Sequence, residues 1–245
     1  MLSPARRCAL TPAHQRAFDT ITAELSRLIR YDDESVVHQH WLRQRYDGGY
    51  AASYEPARKA AVRTAWHEAG HAVAALALGA PFSSASIRHG RDTQGRVHGI
   101  GGDGEHSFVI DAAGQIAEAM IAWTLPADDA ELAAWLAGWR ADGGDARRFR
   151  HGSAALFPGD EPGAWRFSEG IVVPLRPKIR QVARALLVYP RHLPYPVVGA
   201  LADAATGGAG RGGGQRLRLD QDSAARWLPG RRYLAISREK ARSTT

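Results

Sequence analysis

Cysteine is nearly absent. Cys8 is the only one in 245 residues, so no disulfide can form within the chain and a small disulfide-stapled scaffold is excluded. A lone thiol suits a reducing compartment. Long apolar runs are missing as well. The longest near the middle, Ala72 to Leu78, has seven residues, against roughly 20 needed to cross a bilayer. Arg6 and Arg7 are not followed by an apolar stretch, so the start does not read as a signal peptide. These absences predict a soluble, cytoplasmic protein with no membrane span. Lysine is scarce: Lys59, Lys178 and Lys240 are the only three, and none follows a glycine. A phosphate-binding Gly-Lys loop is therefore excluded, and no ATP is expected to bind this chain.

What is present is ordinary globular material. Hydrophobic residues make up 44% and charged residues 23%, enough for one buried core plus tails and too apolar for a disordered chain. The net charge is +7, carried mostly at one end. Arg211 to Thr245 holds nine basic residues against Asp220, Asp222 and Glu239. Such a tail is a candidate contact for nucleic acid or acidic partners, with a solvated arginine-rich tail as the plainer reading. Trp227 and Tyr233 are its only stacking residues, and no nucleic-acid module signature accompanies them.

The patterning predicts a mainly α protein with a small β-hairpin or sheet. Phe18, Ile21, Leu25 and Leu28 fall at helical spacing within residues 12–30, and a second short helix is expected over 34–45. A strong helix runs from Pro56 to Leu78, where Gly79 and Pro81 stop it. Two strands, 82–88 and 96–100, form a hairpin across residues 90–95. Helices follow over 108–123, 128–139 and from Asp145. Residues 158–163 read as a loop. Two last helices cover 174 or 177 to 188 and 196–205. Three divisions result: an N-terminal helical extension (1–55), a central domain (56–206), and a glycine-rich linker with a basic, flexible tail (207–245).

The strong helix carries the chemistry. His67-Glu68-Ala69-Gly70-His71 places two histidines four residues apart, so both imidazoles project from one side, one turn apart. That spacing lets two ring nitrogens share one Zn²⁺ at about 2.0–2.1 Å, with Glu68 beside the metal's water as a general base. Chance placement of these residues would give roughly 0.016 occurrences in a chain of this composition, which favours a real site over a coincidence. A third ligand must come from elsewhere, because positions 74 and 77, where a longer signature would put glycine and histidine, are both alanine. Glu118 on a later helix and Asp145 after Gly143-Gly144 are the two candidates, and composition leaves both open. His89, His98, His106 and His151 read as polar surface or neighbours of the site. Trp66, Trp123, Trp135 and Trp139 read as packing residues.

His67-Glu68-Ala69-Gly70-His71-Ala72, with Ala113-Gly114-Gln115-Ile116-Ala117-Glu118 and Gly143-Gly144-Asp145-Ala146-Arg147-Arg148 downstream, resembles the FtsH-type zinc peptidases of family M41. The resemblance covers residues 56–206. It implies a helical zinc-peptidase domain with a small sheet beside the histidine helix, Zn²⁺ held by His67, His71 and Asp145, and Glu68 as the base. It also implies polypeptide substrates and a homo-oligomer, although that family's ring leans on an ATPase module without a counterpart here. Glycine stands where the family has asparagine before the aspartate, and Ala119 where it has a second glutamate. The expected activity is zinc-dependent endopeptidase cleavage of flexible or unfolded polypeptides. The alternatives are an inactive peptidase-fold binding or regulatory module, and a DNA-associated regulator acting through its tail. Residues 96–100 are a candidate edge strand for pairing with an extended substrate.

Overall fold

Alanine dominates the strong helix, and its burial explains why. Residues 69–75 show almost no polar face: Ala69, Ala72, Val73, Ala74 and Ala75 are all buried. A helix that is apolar all round belongs inside a protein. In the computed structural model, which describes residues 10–28, 51–87, 95–101, 104, 106–122, 124–139, 144–190 and 192–205, with only the backbone of 51–59, this helix is the central pillar. It begins at Ala51 rather than Pro56 and ends at Leu78. Gly79 follows with φ +74°, a conformation that suits glycine.

The other elements pack on this pillar or on one another. In chain order they are α1 (Pro12–Leu28), α2 (the pillar, Ala51–Leu78), β1 (Ser84–Ser86), β2 (Arg96–His98), α3 (Ser107–Ala122), α4 (Asp129–Trp139), α5 (Gly144–Ser153), α6 (Glu161–Val172), a 3₁₀ turn (Val173–Leu175), α7 (Arg176–Val188), β3 (Leu193–Pro194) and α8 (Tyr195–Ala204). The expected helix at 34–45 and the expected tail lie outside the described residues. The main packing partners of α2 are α3 and α7. Gly70 sets the first contact. A Cβ there would come within 2.8 Å of Ala117 Cβ and would run into the Ala113 backbone, so only glycine lets the two helices meet this closely. α1 packs on α8 and α7, and its Ile21 and Leu25 join the common core.

Among the described residues the protein is mainly α-helical, with a small antiparallel sheet of order β2-β1-β3. Ala85 pairs with Val97 on one side and Leu193 on the other. The strands are shorter than the hairpin predicted, and β3 was not foreseen, because two residues carry no periodic signal. The loop expected over Pro158–Gly163 is corrected: a helix starts at Glu161. Asp160 caps it, accepting from the Gly163 N–H at 2.8 Å, and Pro162 sits in the first turn, where a missing N–H costs nothing.

α6 delivers Trp165 into an aromatic cluster. Its ring lies 4.4 Å from that of Trp135 and 5.5 Å from that of Trp139, and its indole N–H donates to Glu169 at 2.6 Å. Trp165 is fully buried. Trp165→Ala is expected to destabilise the fold by about 3–5 kcal/mol, read by denaturant unfolding; an exposed-residue cost under about 0.5 kcal/mol would show that this cluster does not hold the helices together.

Candidate metal centre

The sequence motif lies on α2 where it faces α3 and α5. His71 is 7% exposed and Glu68 6% exposed, while His67 is partly buried. Both imidazoles are anchored through Nδ1. His71 Nδ1 meets the Ile110 carbonyl at 2.6 Å, and His67 Nδ1 meets Glu118 Oε1 at 2.7 Å. A carbonyl and a carboxylate can only accept, so each Nδ1 carries the hydrogen and each neutral ring keeps its lone pair on Nε2. Those two Nε2 atoms face each other at 2.9 Å. Asp145 Oδ2 completes the group, 3.2 Å from His67 Nε2 and 3.4 Å from His71 Nε2.

This arrangement fits a cation. With both rings neutral, two lone pairs and a carboxylate oxygen converge, with ligand atoms all within 4.8 Å of one another. Four-coordinate binding at about 2.0–2.1 Å would put ligand atoms about 3.3 Å apart, close to the spacings found. Among the described residues, this is the one histidine–carboxylate group with such spacing. Gly114 makes room for it. A Cβ there would lie 2.5 Å from His71 Nε2 and 2.8 Å from His67 Nε2.

Of the two candidates for the third position, Asp145 is brought to the Nε2 side. Glu118 sits on the Nδ1 edge of the His67 ring, away from the convergence point, and is held there by Arg63 at 2.6 Å. Glu118 therefore orients a ligand rather than acting as one. Asp145 lies in the first turn of α5, where the helix dipole favours a negative charge. Its second oxygen is taken by Arg148, and Arg148 Nε donates to Asp111 at 2.8 Å. His98 and His151 line the same cleft without joining the cluster. His106 instead stacks on Phe108, ring centroids 6.3 Å apart. His89 and Trp123 lie outside the described residues.

Arg63, Asp111 and Arg148 were not anticipated, yet a signal for Asp111 existed. In the mostly apolar α3, Asp111, Gly114 and Glu118 are spaced three and four apart, which puts them on one face. The carbonyl of Ile110 leaves no trace in a sequence.

Electrostatics express the same demand for positive charge. Burial lowers the pKa of His67, but hydrogen bonds to Asp145 and Glu118 and the charge of Glu68 outweigh it and hold the group up to about 10. Asp145 moves the other way. Burial opposes its ionisation, and the two histidines override that and drop it far below the usual carboxylate range. Burial pushes Glu68 up, against the pull of His71 and His67.

Without metal, His67 is therefore expected to carry a second ring proton at neutral pH. Because that pKa lies above the unfolded value of 6.5, the proton's contribution to stability is full below about pH 6.5 and is lost as pH rises toward 10. Binding a divalent metal must displace it. Calorimetry in two buffers of different ionisation enthalpy is expected to show about one proton released per metal at pH 7.5; no release would mean that His67 is already neutral.

No family model, curated protein or solved structure matches this chain. No helix among the described residues is long and apolar enough to cross a membrane.

Proposed function

We propose that this chain is a zinc-dependent endopeptidase of the FtsH type, cleaving peptide bonds in flexible or unfolded polypeptides. The carrying observation is the convergence of His67 Nε2, His71 Nε2 and Asp145 Oδ2, with buried Glu68 on the same helical turn. Two imidazoles and one carboxylate suit Zn²⁺, and three protein ligands leave a fourth position open, as hydrolysis requires. Zn²⁺ held there supplies Lewis acidity for a carbonyl oxygen and for water.

The chain's own residues supply the rest. Glu68 is a carboxylate whose burial raises its proton affinity, which suits a group that takes a proton from the attacking water and passes it to the departing amine. Glu118 and Ile110 fix the tautomers that leave both Nε2 atoms free. β2 borders the cleft at one end of the sheet order, and Arg96, Val97 and His98 line the approach to Glu68. An extended substrate backbone laid along that edge would bring a peptide bond to the base.

The test is metal analysis paired with cleavage of an unstructured fluorogenic peptide library. The expected result is one zinc per chain, cleavage abolished by a chelator, and recovery on zinc addition. Zinc bound at full stoichiometry with no peptide cleaved would favour the binding-module alternative.

A further inference from the structure

We infer that Asp111 is a positioning residue that acts through Arg148 to hold Asp145 in a one-oxygen binding mode. This rests on the proposed metal site and goes beyond it, since neither residue is a ligand. The geometry is a chain of three groups from two helices. Arg148 Nε donates to Asp111 Oδ1 at 2.8 Å, and the Arg148 NH2 group donates to Asp145 Oδ1. Asp145 Oδ2 is then the oxygen aimed at the histidines. A free carboxylate can rotate about its Cβ–Cγ bond and present one oxygen or both to a cation. Here one oxygen is occupied by a guanidinium, which leaves only the other.

The fork of Arg148 suits this task because its nitrogens lie in one plane at fixed angles. Its side chain is 58% exposed, against 15% for Asp111 and 24% for Asp145. An exposed arginine would sample many rotamers. The inner carboxylate of Asp111, rooted in buried α3 next to Ile110, removes that freedom. α3 therefore serves all three ligands without supplying one: Ile110 orients His71, Glu118 orients His67, and Asp111 orients Asp145 through the arginine. Loss of an outer partner of this kind typically costs about 10–100-fold in metal affinity.

The experiment loads the full chain with Co²⁺, whose visible absorption reports coordination number and geometry, and measures Zn²⁺ affinity by chelator competition. Asp111→Ala is expected to weaken zinc binding about 10- to 100-fold and to change the intensity of the cobalt bands as Asp145 turns toward two-oxygen binding. Arg148→Lys should change the bands in the same direction, because a rotatable ammonium lacks the fixed fork that aims one nitrogen at each carboxylate. Asp111→Ala combined with Arg148→Ala should bind no more weakly than Arg148→Ala alone, since the aspartate acts only through the arginine. Should Asp111→Ala fail to fold, the Arg148→Lys spectrum decides. Wild-type bands and affinity in these variants, or additive losses in the double variant, overturn the inference and leave the metal site standing. A wild-type chain that takes up neither cobalt nor zinc overturns both.

Discussion

Glu68→Gln is expected to keep the metal and lose about 10²- to 10⁴-fold in peptide cleavage, the usual contribution of a positioned general base. The substitution preserves volume and hydrogen-bond capacity at a 6% exposed position, so the fold should be undisturbed. Glu68 is absent from the converging ligand group, so zinc should remain. What disappears is the carboxylate that receives a proton. The split between retained metal and lost rate separates chemistry from structure. Parallel measurement of zinc content and kcat/KM checks it, and cleavage within about threefold of wild type would remove Glu68 from the mechanism.

The second large effect concerns a residue with no side chain. Gly114→Ala would place a methyl group 2.5 Å from His71 Nε2 and 2.8 Å from both His67 Nε2 and Cε1. Real carbon atoms do not approach so closely, so the two imidazoles would have to part. Both rings are also tied at Nδ1, to Ile110 and Glu118, and cannot retreat without breaking those bonds. Zinc affinity is expected to fall by at least about 100-fold, a loss at the upper end for a residue outside the ligand set. Gly170→Ala on α6 is the control. Nothing lies within 4 Å of a Cβ there, so it should leave metal binding unchanged and stabilise the helix by roughly 0.5–1 kcal/mol. Equal zinc affinity in Gly114→Ala and wild type would mean that the histidines sit elsewhere when loaded.

These two predictions mark where the sequence was informative. His67, Glu68 and His71 were readable because a helix converts a spacing of four into a shared direction, and the long alanine-rich α2 made the helix certain. Asp145 was different. It lies 74 residues beyond His71, and no local rule connects two groups at that separation. Residue chemistry left it level with Glu118, and only the resemblance preferred it. The structure separates the two by the face of one ring: Glu118 meets Nδ1 and Asp145 meets Nε2.

The fold was legible to the same degree and for the same reason. Helices with strong stops, such as α2 before Gly79 and α7 before Pro190, agree closely with expectation. α6 was missed because Pro162, Gly163 and Gly170 carry loop chemistry. Tertiary burial of Trp165 and Ile171 outweighs that local preference. β3 depends wholly on its partner β1 and has no pattern of its own.

The most direct test is a crystal of the zinc-soaked chain measured at the zinc absorption edge. The account predicts one anomalous peak about 2.0–2.1 Å from His67 Nε2, His71 Nε2 and an Asp145 oxygen, with the fourth position open to solvent. A peak ligated by Glu118 in place of Asp145, or no peak between the two histidines, would contradict it.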